Sequence, residues 1–222
     1  MFLKDFSFEL PENLIAVKPA NPRDSSKLLF LKSLNSYQNS LFSDLCDYLL
    51  PGDLLVFNNT KVNASKIIGL KKNTKSKIEF TFISNEKDGI WLCFALPGKK
   101  VSIGNLFIFK DVVGKVINKD KEKIYIDFGL KNNEFVTILS ALGRISLPPY
   151  ISKLRKFKDQ DNKDYQTIYA QKSGSIAAPT AGLHFTDNLL KKIKRKKIDI
   201  ENITLNIGPG TFLPLRNDKV ED

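Results

Sequence analysis

The 222-residue sequence predicts an α/β fold, a mixed-sheet α/β domain into which a small antiparallel β-barrel domain is inserted. Three observations carry this expectation. The first sixty residues mix strand and helix signals, the middle of the chain is a series of short β runs broken by polar turns, and a helix followed by an apolar strand returns near the end. The expected division is residues 1–60 as the first part of the α/β domain, 61–146 as the barrel and 147–222 as the second part.

The elements follow in order. Leu28 to Lys32 reads as a strand, Ser43 caps a short helix from Asp44 to Leu50, and Pro51-Gly52 stops it before the strand Asp53 to Phe57. From about Ala64 to Phe128 the β runs are Lys77 to Ser84, Ile90 to Leu96, Leu106 to Lys110, Val112 to Asn118 and Lys123 to Phe128. Turn signals at Lys87-Asp88-Gly89, Pro97-Gly98 and Gly104-Asn105 separate them, the spacing of a small barrel. Asn133 to Leu142 reads as a helix closed by Gly143, and the Pro148-Pro149 loop leads back to mixed structure. Thr186 has the character of an N-cap for a helix over Asp187 to Lys197, with Leu189, Leu190 and Ile193 on its apolar side. The last strand, Asn202 to Ile207, runs into Gly208-Pro209-Gly210-Thr211, and an α/β sheet ending there is expected to be incomplete at its C-terminus.

Composition narrows the function. A hydrophobic content of 42% is that of a folded chain, and no apolar run has the length of a signal peptide or a membrane span, so a cytoplasmic address is expected. Cys46 and Cys93 are isolated, and one histidine without a CxxC motif points to no metal site. The net charge of +11 suggests a polyanionic partner, although only five of the 35 basic residues are Arg, the pattern of general lysine enrichment. The run Lys191 to Lys197 reads equally as a phosphate grip and as the solvated end of a helix. Gly208-Pro209-Gly210-Thr211 is not a P-loop or Rossmann turn, because Pro209 removes an N–H donor and no helix pattern follows.

The densest signal is Ile176-Ala177-Ala178-Pro179-Thr180-Ala181-Gly182-Leu183-His184-Phe185-Thr186, which holds the single histidine in a tight loop before a helix N-terminus. Proton transfer by imidazole near neutral pH must use His184, which between Leu and Phe also reads as a packed core histidine. Further blocks accompany it along the chain. They are Asp5-Phe6 with Phe8-Glu9-Leu10-Pro11, Pro22-Arg23-Asp24-Ser25-Ser26-Lys27-Leu28-Leu29, Pro51-Gly52-Asp53-Leu54-Leu55-Val56-Phe57-Asn58, Leu147-Pro148-Pro149-Tyr150-Ile151, Asp164-Tyr165-Gln166-Thr167-Ile168-Tyr169-Ala170 and Gly208-Pro209-Gly210-Thr211-Phe212. In this order they resemble the S-adenosylmethionine:tRNA ribosyltransferase-isomerases of queuosine biosynthesis, a C-terminally truncated member by comparison with the family's length.

The resemblance implies a transferase that moves and isomerises the ribosyl group of S-adenosylmethionine onto a 7-aminomethyl-7-deazaguanine at the tRNA wobble position. Epoxyqueuosine-tRNA forms, and adenine and methionine leave. It implies tRNA and S-adenosylmethionine as partners, no cofactor beyond S-adenosylmethionine consumed as substrate, no membrane and a monomer. His184 and Asp164 are then the catalytic candidates. Arg23 and Asp24 are candidates for an anion clamp or a surface ion pair, and Asn58, Thr60 and Lys61 lie after a strand where open α/β sheets bind ligands. Tyr165, Gln166 and Tyr169 supply hydrogen-bonding groups or a packed helix start. Thr180 and the Gly182 backbone suit a ribose or carboxylate, Phe185 a stacked base, and Gly208, Gly210, Thr211 and Phe212 complete the substrate-binding set.

The chain departs from the family at Asn59, where an acid is usual, at Lys27, Lys61 and Lys66, where Arg is usual, and at Ala64 and Asn206, where Pro and often His stand. Exchange of a guanidinium fork for an ammonium loses bidentate bonding. A second reading is a catalytically inactive truncated homologue that retains RNA binding. An ordinary methyltransferase is disfavoured, since the acidic and glycine-rich loops of that fold are absent.

Overall fold

The computed structural model describes residues 1–212 and Asp218. An N-terminal strip carries isolated 3-10 turns at Leu3–Phe6, Glu12–Leu14 and Arg23–Ser25 and leads into an antiparallel hairpin of β1 (Lys27–Ser33) and β2 (Ser36–Leu41). A 3-10 helix at Phe42–Tyr48 follows. The expected α-helix from Asp44 is thus an earlier and tighter one, and Ser43 is not its cap. The Asp44 carboxylate takes that role by accepting from the Leu41 N–H at 3.0 Å, and its pKa lies below the usual carboxylate value through that bond and the Ser40 hydroxyl.

Next come β3 (Leu54–Asn58) and β4 (Thr60–Val62), and then the closed barrel. Its strands are β5 (Lys66–Lys71), β6 (Lys77–Lys87), β7 (Ile90–Leu96), β8 (Leu106–Phe109), β9 (Val112–Asp120) and β10 (Lys123–Asp127), in the order β10-β7-β6-β5-β8-β9. The five β runs read from the sequence are all present. The sixth, β5, escapes notice because Gly69 and the flanking lysines dilute its apolar alternation. Gly69 is required there, since a Cβ would lie 2.7 Å from the Phe109 ring. Alternate residues point inward, with Ile78, Phe80, Phe82, Phe107, Phe109 and Ile126 fully enclosed. The helix α1 (Asn132–Leu142) adds Phe135 and Leu139 to this core, and Phe135 stacks on Phe128 at 3.9 Å.

After the barrel come α2 (Pro149–Leu154) and α3 (Asp161–Asp164), then β11 (Lys172–Ser175), a 3-10 turn at Thr180–His184, α4 (Asp187–Arg195), β12 (Asp199–Ile203) and a 3-10 turn at Pro209–Phe212. β11 pairs in parallel with β4 and β12 in parallel with β3, so the two parts of the α/β half join across the barrel insertion. The final strand therefore runs earlier than the expected Asn202 to Ile207. Beyond Ile203 the chain is held by single bonds, such as the Ile176 N–H to the Ile207 carbonyl at 2.9 Å. Helix α4 forms as the sequence indicates: the Thr186 hydroxyl accepts from the Leu189 N–H, and Leu189 and Ile193 bury one face against Phe57, Phe185 and Ile198. Among the described residues no helix is long and apolar enough to cross a membrane.

Candidate active site

A cleft of 210 Å³ lies between the N-terminal strip, α2, the end of α3 and the Thr180–His184 turn. Arg23, Asp164, Tyr165, Thr180 and His184 line it, so five of the residues singled out from the sequence converge although they come from segments far apart in the chain. The volume is below the roughly 300–1,000 Å³ of a site that encloses a drug-sized molecule.

His184 is half-buried, with its ring tilted against Phe42 at 5.2 Å between centroids and its Nδ1 2.8 Å from the Ser26 hydroxyl. Burial, and then the nearby Arg23 charge, hold its pKa below the ordinary imidazole value of 6.5. At neutral pH it is an uncharged imidazole lining an open cleft, the state a general base needs. Asp164 accepts from the Gln160 side-chain amide at 2.9 Å, and burial raises the Tyr165 phenol above its usual range.

Several expected ligand groups are engaged internally. Arg23 lines the cleft but is held largely by backbone carbonyls, and Asp24 is bonded elsewhere. Its guanidinium donates to the carbonyls of Lys163 at 2.7 Å, Gln166 at 2.8 Å and Leu183 at 3.4 Å, tying the end of α3 to the histidine turn. Asp24 accepts from the Thr186 hydroxyl at 2.7 Å, so the N-terminus of α4 carries the protein's own carboxylate. Gln166 bonds both the N–H and the carbonyl of Val62 and so extends the edge of β4. Phe185 cannot stack on a base, because it is buried between Phe42, Phe57 and Tyr169.

Tyr169 stacks on Phe57 at 4.5 Å, and burial pushes its hydroxyl up to about 12, which keeps it protonated. A Cβ at position 182 would meet that hydroxyl at 2.1 Å, which is why Gly182 is needed; its N–H already donates to the Pro179 carbonyl. Thr60 is fully buried, 2.7 Å from the Ser175 hydroxyl and donating to Asn206 at 3.1 Å. Asn58 pairs with both backbone groups of Leu205, and Asn59 is buried with its oxygen accepting from Thr204. These amides lash the segment after β12 to the end of β3. Lys61 is exposed on β4 and does not line the cleft, and Gly208 just before the last turn and Gly210 and Thr211 on it are exposed. The Phe212 side chain lies outside the described residues.

Two contributors were not singled out from the sequence. Ser26 and Tyr150 both stand inside the motif blocks quoted above, and that membership was the available signal. A third element is a strut. Arg155 grips Asp161 with two bonds of 2.8 and 2.6 Å and reaches the Val17 carbonyl at 2.7 Å, fixing the strip that walls the cleft to α2 and α3.

A closed barrel and an α/β half built on parallel strand pairs, with a single histidine lining an open cleft, define a two-part α/β protein. The chain belongs to the queuosine biosynthesis protein family, whose model matches residues 3–222. It is 42% identical over 229 aligned positions to a protein of Halothermothrix orenii named S-adenosylmethionine:tRNA ribosyltransferase-isomerase, covering 100% of this chain and 65% of that relative. It is also similar to a crystal structure of S-adenosylmethionine tRNA ribosyltransferase from Thermotoga maritima, at 26% identity and a TM-score of 0.38, covering 93% of this chain and 59% of that one. The chain thus spans less than two thirds of the length of these relatives, 65% of one and 59% of the other.

Proposed function

We propose that this chain carries the proton-transfer cleft of an S-adenosylmethionine:tRNA ribosyltransferase-isomerase acting in the cytoplasm, with S-adenosylmethionine as a consumed substrate and tRNA as acceptor. The observation that supports it most is His184, uncharged, oriented by Ser26 and set beside Asp164 and Thr180 in an open cleft. The sulfonium acidifies the ribose C–H bonds next to it. His184 takes that proton, and the electron pair forms a vinyl sulfonium by breaking the ring C–O bond at the neighbouring carbon. The freed oxygen becomes a carbonyl at the anomeric carbon as adenine leaves with the proton returned by His184. The aminomethyl nitrogen of the deazaguanine then adds to the vinyl sulfonium and loses a proton, and the carbanion so formed next to sulfur attacks the carbonyl carbon to close the carbon ring. The resulting alkoxide displaces sulfur to form the epoxide and release methionine. As a base, His184 would donate from Nδ1 to Ser26 and use Nε2 for the substrate proton. Asp164 and Thr180 suit the ribose hydroxyls or the methionine ammonium.

The test is adenine release from S-adenosylmethionine with a tRNA bearing the precursor base. It is run with this chain alone and with the portion of the Halothermothrix orenii relative beyond the match added in trans. His184→Ala should lower the rate by about 100-fold or more, the range for losing a general base, with melting nearly unchanged. Loss of stability with an unchanged rate per folded molecule would make His184 a packing residue. RNA binding without any S-adenosylmethionine binding would favour an inactive RNA-binding homologue.

A further inference from the structure

On the far side of α2 from the His184 cleft, two contiguous hollows of 560 and 500 Å³ run between the barrel and the chain that leaves it, sharing Lys66, Glu79 and Leu96. Their floor is rigid. Glu79 is held by Lys66 at 2.8 Å and by Arg144, whose guanidinium lies 5.2 Å over the Phe157 ring, and Lys119 donates to the carbonyls of Gly98 and Val101. Above this floor stand Lys99, Lys121 and Lys156, all exposed. Glu79 and Glu122 are the only acidic side chains lining the two hollows among the described residues, and Glu79 is already neutralised by its two cations.

We propose that this groove binds the phosphodiester backbone of a structured RNA, with Lys99, Lys121 and Lys156 as the phosphate contacts. Exposed lysines that outnumber the acidic groups beside them suit a polyanion, whose condensed counterions they displace. An aromatic and aliphatic floor of Phe94, Leu96 and Phe157 suits sugar and base surface. Placement adds to this. Tyr150 and Ile151 of α2 line the His184 cleft, whereas Ser152 of the same helix and Arg155 just after it line the groove, so a strand held there runs one helix thickness from the cleft. This assignment rests on the tRNA reading above and adds to it the surface that takes the RNA.

The experiment is fluorescence anisotropy with a labelled, unmodified tRNA transcript and the full 222-residue chain, at roughly 50–200 mM salt. The groove triple Lys99→Gln, Lys121→Gln, Lys156→Gln is compared with Lys191→Gln, Lys192→Gln, Lys194→Gln on exposed positions of α4, which removes the same charge. The groove triple should lower the slope of log affinity against log salt by about 2–3, and the α4 triple by less than about 1. Melting curves confirm that both fold. Equal losses from the two triples, unchanged binding by the groove triple, or no salt-dependent binding by the unaltered chain would each overturn the assignment. So would a groove triple that keeps its tRNA affinity and loses binding to polyglutamate, which would give the groove to an acidic protein. Binding needs no turnover, so a failure of adenine release counts against the catalytic reading and leaves this one standing.

Discussion

The barrel and the α/β half solve the same chain's stability in opposite ways. In the barrel, aromatic and aliphatic side chains at alternate positions close on each other, and its stability follows from area removed from water. The α/β half has a small apolar core around Phe57, Phe185 and α4, and it leaves Leu54, Val56, Ile203 and Leu205 exposed. Its segments are held by directional bonds: Arg23 on three carbonyls, Arg155 on Asp161, Gln166 on Val62, Asn58 on Leu205. A barrel of this kind tolerates conservative change at many positions, whereas the cleft depends on a few polar contacts, each between specific atoms.

Truncation in the barrel should have the largest effect on stability. Phe80→Ala removes a fully buried ring that meets Phe82, Phe107 and Phe109, and is expected to cost about 3–5 kcal/mol in urea unfolding. Adenine release per folded molecule should not change. A cost below about 1 kcal/mol would break the comparison.

In the α/β half, Arg155→Ala leaves Asp161, 2% exposed, without its bidentate partner, and about 3 kcal/mol of destabilisation is expected. Unlike the barrel variant, this one should also impair the cleft, because Val17 loses its tether. The pH dependence gives an independent reading. Burial alone would raise the Asp161 carboxyl, but the Arg155 and Lys158 bonds outweigh it and hold the pKa below 3.8. The stability this contributes is complete above the unfolded value of about 3.9 and is lost as pH falls through the lower folded value. The acid limb of unfolding should therefore flatten in Arg155→Ala. An unchanged limb would show that the strut carries nothing.

The same contrast explains what the sequence disclosed. Barrel strands and α4 were legible because hydrophobic alternation, a 3.6-residue stripe and the Thr186 cap are local signals. β4 and β11 are short, half-polar and parallel, and they form only because distant segments meet. Residue types at the cleft were legible too, since His184, Asp164 and Thr180 stand in dense motifs. Their employment was not. Arg23 reaches carbonyls 140 and 143 positions away, and no spacing rule separates such a strut from an anion clamp. Phe185 likewise reads as a stacking platform until Phe42 and Phe57 are seen to enclose it.

The smallest expected effect tests the finest part of this placement. Ser26 lies 158 positions from His184, with its hydroxyl on Nδ1 and its carbonyl accepting from the Phe42 N–H. If the pair orients the imidazole, Ser26→Ala should keep its melting temperature within a few degrees and lose about 5- to 10-fold in adenine release, the worth of one hydrogen bond near 1 kcal/mol. The pH profile separates orientation from general damage. The bond to Nδ1 is charge-assisted when His184 is protonated, so removing it disfavours the imidazolium further. The wild-type rate should fall on the acid side of 6.5, because burial and Arg23 already depress His184, and in Ser26→Ala that limb should move to still lower pH. Ser26→Thr keeps a hydroxyl and should restore both rate and limb. An unchanged limb with an unchanged rate would leave Ser26 a neighbour of His184 and no more, and the placing of the imidazole would fall to Arg23 and the Thr180–His184 turn.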